Sequence, residues 1–506
     1  MGAGVAWFDC NNDGLLDLLF LNGARLTDPM PKDAQPDKRD PKFWNRVYVN
    51  TGNGAFEDAT ESAGLQGAVY AMGAAVADYD NDGHTDLYVT GFGRNELYRN
   101  RGDGTFEEVA ARAGVQAAGW STGAAFLDFD RDGDLDLVVA RYLADWSFAN
   151  NPWCGQREEG KRGYCHPNAF RSATHLLFRN QGNGKFRDVS APSGITAHPG
   201  KGLGVAINDY DRDGWPDIAI ANDQVAQQLF HNEGDGTFTE TALASGVAYN
   251  TDGRAFAGMG IAFADFANDG WPGLFVNALS LEGYVLFRNS AGFFEDVSHA
   301  QGLFRISKPY GGWGAGLFDL DNDGWKDLFV AQGHVMDTIS LDNPQISYEQ
   351  PLLLARNVRG RFEDISSHAG TVFEHPYAAR GAAFGDYDND GDIDIAVNVN
   401  DGPALLLRND SKGNRWVILD LTGTASNRDA IGAAVRVESE SGAAQHAYLS
   451  TASSYLSAND GRAHFGLGKA EKIKTIEIRW PSGRLQTLRN IEAKQILKVT
   501  EPPAKE

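Results

Sequence analysis

Apolar residues in this chain come in short runs, broken by Gly, Asn and Asp before a helical period can develop. Residues 74–77, Ala-Ala-Val-Ala, and 87–90, Leu-Tyr-Val-Thr, are typical, each the length of a strand and bounded by turn residues. A second pattern carries a turn between two apolar stretches, as in 47–58 (Val-Tyr-Val-Asn-Thr-Gly-Asn-Gly-Ala-Phe-Glu-Asp) and 97–108 (Leu-Tyr-Arg-Asn-Arg-Gly-Asp-Gly-Thr-Phe-Glu-Glu). Asn-Gly and Asp-Gly between apolar strands are strong hairpin signals. Similar phrases start at Leu177, Leu229, Leu286 and, more loosely, Leu354. Their phenylalanines, Phe56, Phe106, Phe186 and Phe238, are expected to point into the core of their own unit. The pattern predicts an all-β protein.

Between these strands one loop recurs. Its form is D-x-D-x-D-G-x-x-D, and it begins at Asp9, Asp78, Asp128, Asp209, Asp265, Asp319 and Asp386, at intervals of 69, 50, 81, 56, 54 and 67 residues. The first loop reads Asp9, Asn11, Asp13, Asp17, and the second Asp78, Asp80, Asp82, Asp86. The third and fourth are Asp128, Asp130, Asp132, Asp136 and Asp209, Asp211, Asp213, Asp217. The sixth and seventh are Asp319, Asp321, Asp323, Asp327 and Asp386, Asp388, Asp390, Asp394. The fifth keeps only Asp265 and Asp269, with Ala267 and Gly273 at the other two positions, and is the weaker candidate.

Calcium takes six to eight oxygen ligands at roughly 2.3–2.6 Å. Side chains at positions 1, 3 and 5 can converge on such an ion when Gly at position 6 permits a sharp turn, with position 9 closing the shell. An EF-hand would need a Glu at position 12 and helical flanks, whereas these flanks are strand-like. The alternative is a set of acidic turns without metal, but carboxylates crowded in seven tight loops repel one another unless a cation joins them. The expected cofactor is calcium, about six ions, in a structural role.

The repeats, each of about four strands, suggest a seven-bladed β-propeller over residues 1–410. Residues 413–500 lose the repeat but keep alternating strands (434–437, 475–480) and suggest a small β-sandwich, with 501–506 as a tail. Six Phe-containing hairpin phrases accompany seven loops. A seventh is expected upstream of Met1, together with a signal peptide, as in a fragment or late-start chain; otherwise the closing blade is three-stranded.

The repeats resemble FG-GAP/VCBS repeats, which also build the integrin α propeller. The phrases at 426–433, 453–457 (Ser-Ser-Tyr-Leu-Ser), 464–468 (His-Phe-Gly-Leu-Gly) and 479–483 (Arg-Trp-Pro-Ser-Gly) resemble an ASPIC/UnbV domain, which follows such a propeller in the cartilage acidic protein family. The resemblance implies a secreted, periplasmic or surface-attached calcium-binding protein with a role in adhesion or matrix interaction.

The net charge of −23 disfavours a nucleic-acid partner, since phosphate contacts need a basic face. Twenty-five of the 68 acidic residues sit at motif positions, so six divalent ions would bring the charge to −11. No apolar run is long enough to cross a membrane as a helix. Cys154 and Cys165, in an irregular insertion at 143–172, suggest a disulfide in an oxidising compartment, with a zinc site that adds His166, or two free thiols, as the alternatives. Cys10 is expected to be a buried hydrophobe.

No hydrolase or zinc-protease phrase appears, and His334 and His375 read as structural or surface residues. Trp120, Trp146 and Trp153 lie in loops where they either stack on sugars or pack, and Trp313 reads as core. The expected function is binding of an extracellular protein or glycan, without catalysis. Two alternatives are an extracellular enzyme acting on polysaccharide or a small substrate at a propeller face, and a scaffold for partner proteins. The enzyme alternative expects convergent polar groups and perturbed acids away from the acidic loops.

Overall fold

The computed structural model describes residues 2–26, 31, 35–155 and 162–503, so residues 504–506 of the expected 501–506 tail and part of the 143–172 insertion lie outside the described residues. The fold is all-β. Its first six sheets each contain an antiparallel set of four strands, and the seventh (Ala379–Gly385, Asp394–Val399, Leu405–Leu407) has three, which matches the six hairpin phrases. Helices are single turns such as Ala110–Ala113.

Each acidic loop joins the first strand of a sheet to its second. Val5–Phe8 ends just before Asp9, and Asp17–Phe20 begins at position 9 of that loop; the other six sheets repeat the arrangement. Neighbouring first strands touch in order around the molecule, and Ala379–Gly385 touches Val5–Phe8, so the circuit closes.

Two side chains of the hairpin phrase stitch adjacent sheets. Its Asn donates from Nδ2 to the position-2 carbonyl of the preceding loop: Asn100 to Cys10 (2.9 Å), Asn180 to Tyr79 (2.8 Å), Asn232 to Phe129 (2.8 Å). Asn50 closes the circle on Tyr387 O at 2.9 Å. The phenylalanines depart from expectation in a similar way. Phe186 packs on Tyr79 (5.6 Å), Phe238 on Phe129 (5.9 Å) and Phe56 on Tyr387 (5.6 Å), all across to the previous sheet. Phe106, Phe186 and Phe238 are buried and Phe56 is half-buried. The strand that carries each Phe is too short, at three residues, to build a core of its own.

Residues 415–500 form two further sheets, of three and four strands, around a core that includes Val417, Val435, Phe465, Ile476 and Trp480. One excursion leaves this unit for the propeller axis. Ser457–Ala458 pairs in parallel with Val5–Phe8 at Ala6, and Ser454 bridges to Ile261. Ser454 Oγ accepts from Ala315 N (3.0 Å) and donates to Ala382 O (2.7 Å), Ala74 N donates to Leu456 O (3.1 Å), and Phe384 N donates to Asn459 Oδ1 (3.1 Å). Five of the seven sheets thus hydrogen-bond one short segment. Gly4 and Gly381 make room for it: a Cβ on Gly4 would meet the Leu456 carbonyl, and one on Gly381 would lie 2.8 Å from Ser457 Oγ.

The expected tail is not free at its start. Glu501 is 2% exposed and accepts the amides of Thr424, Ala425 and Ser426 at 2.8–2.9 Å. Three convergent N–H donors satisfy a carboxylate that would otherwise be costly to bury.

Candidate metal centres

Backbone hydrogen bonds shape each loop from within. In the third, Asp128 Oδ2 accepts from Gly133 N and Oδ1 from Asp132 N, both at 3.1 Å, while Asp132 Oδ1 accepts from Asp134 N at 3.0 Å. Position 9 ties the far end: Asp136 accepts from Phe129 N (3.1 Å) and from Asn180 N (2.8 Å). The turn needs left-handed backbone at positions 4 and 6, with φ of 58° at Arg131 and 91° at Gly133. Asn fills position 4 in five loops, where it tolerates this conformation and donates to the Gly carbonyl of the next loop. Asn12 reaches Gly83 O (2.8 Å), Asn268 reaches Gly324 O (2.8 Å) and Asn389 reaches Gly14 O (3.1 Å).

In four loops the structure brings the acids of positions 1, 3 and 9 together, without the position-5 acid. Carboxylate oxygens of Asp78, Asp80 and Asp86 lie within 4.8 Å of one another, as do those of Asp128, Asp130 and Asp136, of Asp209, Asp211 and Asp217, and of Asp319, Asp321 and Asp327. In the first and seventh loops Asp9 and Asp386 accept the same position-5 and position-6 amides, and Asp17 and Asp394 the same anchoring amides. Each such set is small, oxygen-rich and acidic, and could hold a hard divalent cation. Burial pushes Asp128 up to about 7 and Asp86 up to about 9, and neighbouring carboxylates add to the rise. These loops are therefore costly to ionise until a cation joins them. Asp80 Oδ1 and Asp130 Oδ1 are buried without a hydrogen-bond partner, as oxygens directed at an ion would be.

The fifth loop keeps the turn, but its cavity is filled. Asp265 accepts from Asp269 N and Gly270 N, yet a side chain at Gly273 would run into the ring of Phe266. Protein side chains meet its acids: Arg288 pairs with Asp269 at 2.9 Å, and His446 Nδ1 lies 3.2 Å from Asp265 Oδ2.

Sequence reasoning missed two sets of residues near the loops. Arg99, Arg179 and Arg356, each just before a stitching Asn, grip positions 3 and 5 of their own loops, as Arg99 does with Asp80 (2.7 Å) and Asp82 (2.8 Å); the recurrence of Arg in the hairpin phrase was the available clue. The other set comes from the C-terminal unit, which docks on the loops. Arg479 binds Asp209 (2.6 Å), Arg462 Nη2 binds Asp386 O (2.8 Å), Asn414 binds Asp321 O (2.7 Å), and Asp429 accepts Asp78 N (2.7 Å). Between this unit and sheets four to seven lies a cavity of about 720 Å³, with Phe263, Phe318, Arg212 and Arg436 in its walls.

Cys154 and Cys165 form a disulfide, which leaves no zinc site with His166, whose Nδ1 accepts Asn168 N (3.2 Å). Cys10 is buried. His334 is buried and accepts Met336 N at 3.1 Å, and His375 is exposed. Trp313 is core, donating to Gly333 O at 2.7 Å. Trp120 and Trp146 pack together at 4.7 Å, and Trp153 is 37% exposed.

The model of the FG-GAP-like repeat matches residues 9–89, 78–139, 171–220 and 209–276, and that of ASPIC and UnbV matches 423–506. The chain contains FG-GAP-like repeats and an ASPIC and UnbV domain. The FG-GAP-like matches span the first through fifth loops, and the ASPIC and UnbV match contains the axial segment. Human cartilage acidic protein 1 is 28% identical over 333 residues, 62% of this chain and 46% of its own length. The Xenopus tropicalis protein of that name is 27% identical over 315 residues, 59% of this chain and 44% of its own. The chain spans about half the length of the curated relatives it matches. Among solved structures, a Bacillus licheniformis rhamnogalacturonan lyase aligns over 99% of this chain and 90% of its own, at 15% identity and a TM-score of 0.34. No helix among the described residues is long and apolar enough to cross a membrane.

Proposed function

We propose that this protein is an extracellular calcium-binding propeller that works by binding a protein or glycan, with calcium in a structural role. The observation that carries this reading is the repeated convergence of three carboxylates on one point at the same place in successive sheets. The Cys154–Cys165 disulfide and the relatives named cartilage acidic protein support an extracellular setting. Calcium would be held by the position-1, -3, -5 and -9 side chains of the six intact loops, where it neutralises carboxylates that otherwise repel. The C-terminal unit covers much of the loop-bearing rim, so the ligand face is the other end, where the disulfide-bonded insertion presents Trp153 and Tyr164.

The test is thermal unfolding in millimolar calcium and after EDTA, with bound metal counted by mass spectrometry. At a hundredfold excess over its dissociation constant, each ion contributes about 2.7 kcal/mol. A large drop in Tm and five to seven calcium ions per chain are expected; unchanged Tm with no metal sinks the reading. Binding to a panel of matrix proteins and glycans should then fall with Tyr164→Ala at constant calcium content.

A second reading, an enzyme, has one observation in its favour. Asp223 lies away from the acidic loops, accepts from Tyr142 Oη at 2.5 Å, and is pushed up to about 6 by burial. That is the perturbed acid an active site would use. Turnover of polysaccharide substrates lost in Asp223→Asn would favour it.

A further inference from the structure

The residue before the stitching Asn is Arg in five sheets, namely Arg99, Arg179, Arg288, Arg356 and Arg408, and Val49 in the first. In the fourth it is His231. A guanidinium cannot ligate a metal, whereas an imidazole nitrogen can. His231 Nδ1 lies 3.4 Å from Asp211 Oδ2 and 3.2 Å from Asp217 Oδ1, and Nε2 lies 3.9 Å from Asp213 Oδ2. Ligands about 2.0–2.1 Å from one ion at tetrahedral angles stand about 3.3 Å apart, so Nδ1 keeps the spacing of a ligand toward Asp211 and Asp217. Nδ1 is buried and faces these two carboxylates.

A second difference separates this loop from its sisters. In the other six, the position-1 Oδ1 accepts the position-5 amide, as at Asp78 (3.0 Å) and Asp319 (3.0 Å). In the fourth, Asp213 N turns instead to Asp211 Oδ1 at 3.2 Å, while Arg479 holds Asp209 Oδ2. Asp209 Oδ1 is left without a hydrogen-bond partner on a residue that is only 5% exposed. The loop thus offers a free buried carboxylate oxygen and a nitrogen donor together.

We propose that the fourth loop, unlike the other five intact ones, takes a first-row divalent transition ion of the zinc class in place of calcium, held by Asp209, Asp211, Asp217 and the His231 imidazole. Mixed nitrogen and carboxylate donors favour such an ion over calcium, which prefers oxygen alone. The ion would sit beside the 720 Å³ cavity, whose wall includes Asp209.

The experiment uses the full chain, stripped with EDTA and dialysed into millimolar calcium with micromolar zinc, then analysed for both metals. Wild type should retain one zinc per chain besides its calcium. His231→Arg installs the residue that five sister sheets already carry, so it should fold, bind zinc at least tenfold more weakly and take up one more calcium, as its intact sisters do. Arg179→His should gain a second zinc. With Co2+ as probe, visible ligand-field bands should appear in wild type and vanish in His231→Arg. Absence of zinc from wild type, or equal zinc in wild type and His231→Arg, overturns the proposal. Loss of calcium from every loop would instead defeat the calcium reading on which the other sites rest.

Discussion

The third and fifth loops have nearly the same backbone and opposite prospects. Asp128 and Asp265 each accept the amides of the fourth and fifth residues after them at 2.9–3.1 Å, and Arg131 and Asn268 share a left-handed φ of 58° and 51°. The turn is therefore built by position 1 and the glycine, even in a loop that lacks side-chain ligands at positions 3 and 9. A metal site requires the side chains at positions 3 and 9 as well. The fifth loop has lost both: the Phe266 ring stands where a position-9 side chain would go, and His446 lies beside Asp265. One motif has two fates, a candidate cation site and a turn that lacks the side chains to hold an ion.

The contrast can be tested first by pH without metal. Asp128 and its counterparts have folded values raised above the ordinary 3.8, so their contribution to stability is complete below that value and is lost as pH rises through about 7. In EDTA the protein should unfold at a lower temperature at pH 8 than at pH 5, and calcium should remove the difference. A Tm independent of pH in EDTA would mean that the loops tolerate their charge unaided.

Next in size, Asp136→Ala leaves the buried amides of Phe129 and Asn180 without their acceptor and should cost about 3 kcal/mol together with one calcium per chain, read by denaturant unfolding and metal analysis. The converse experiment restores the missing ligands. Ala267→Asp with Gly273→Asp should gain no calcium and should lose about 2 kcal/mol, because the new side chain meets Phe266; a gain of one ion would show that the ring yields. The smallest effect, about 1 kcal/mol, is expected for His446→Ala, which removes a partner from Asp265 but from none of the metal-ready loops. Unfolding with unchanged calcium content would confirm that the fifth loop serves docking.

Local chemistry made much of the molecule readable in one dimension. The all-β class, the seven loops, their ligand positions and the hairpins depend on residues close in sequence, where spacing and turn preference dictate geometry. The Cys154–Cys165 pair was also legible, being only 11 residues apart. What was not legible depends on partners hundreds of residues away. Asn50 meets Tyr387, Arg479 meets Asp209, and His446 meets Asp265 only after the ring has closed. The phenylalanines were placed in the right element but in the wrong neighbourhood, because alternation indicates which face is buried and not which sheet covers it. The phrase at 453–457 was distinctive without saying why. Tertiary structure alone decides that it stands on the axis, where small residues such as Gly4 and Gly381 leave room and Ala315, Ala382 and Ala74 offer backbone partners. Sequence by itself determined the loops, since their bonds run between near neighbours; the ring, its axial segment and the fate of each loop were decided by packing that no local pattern encodes.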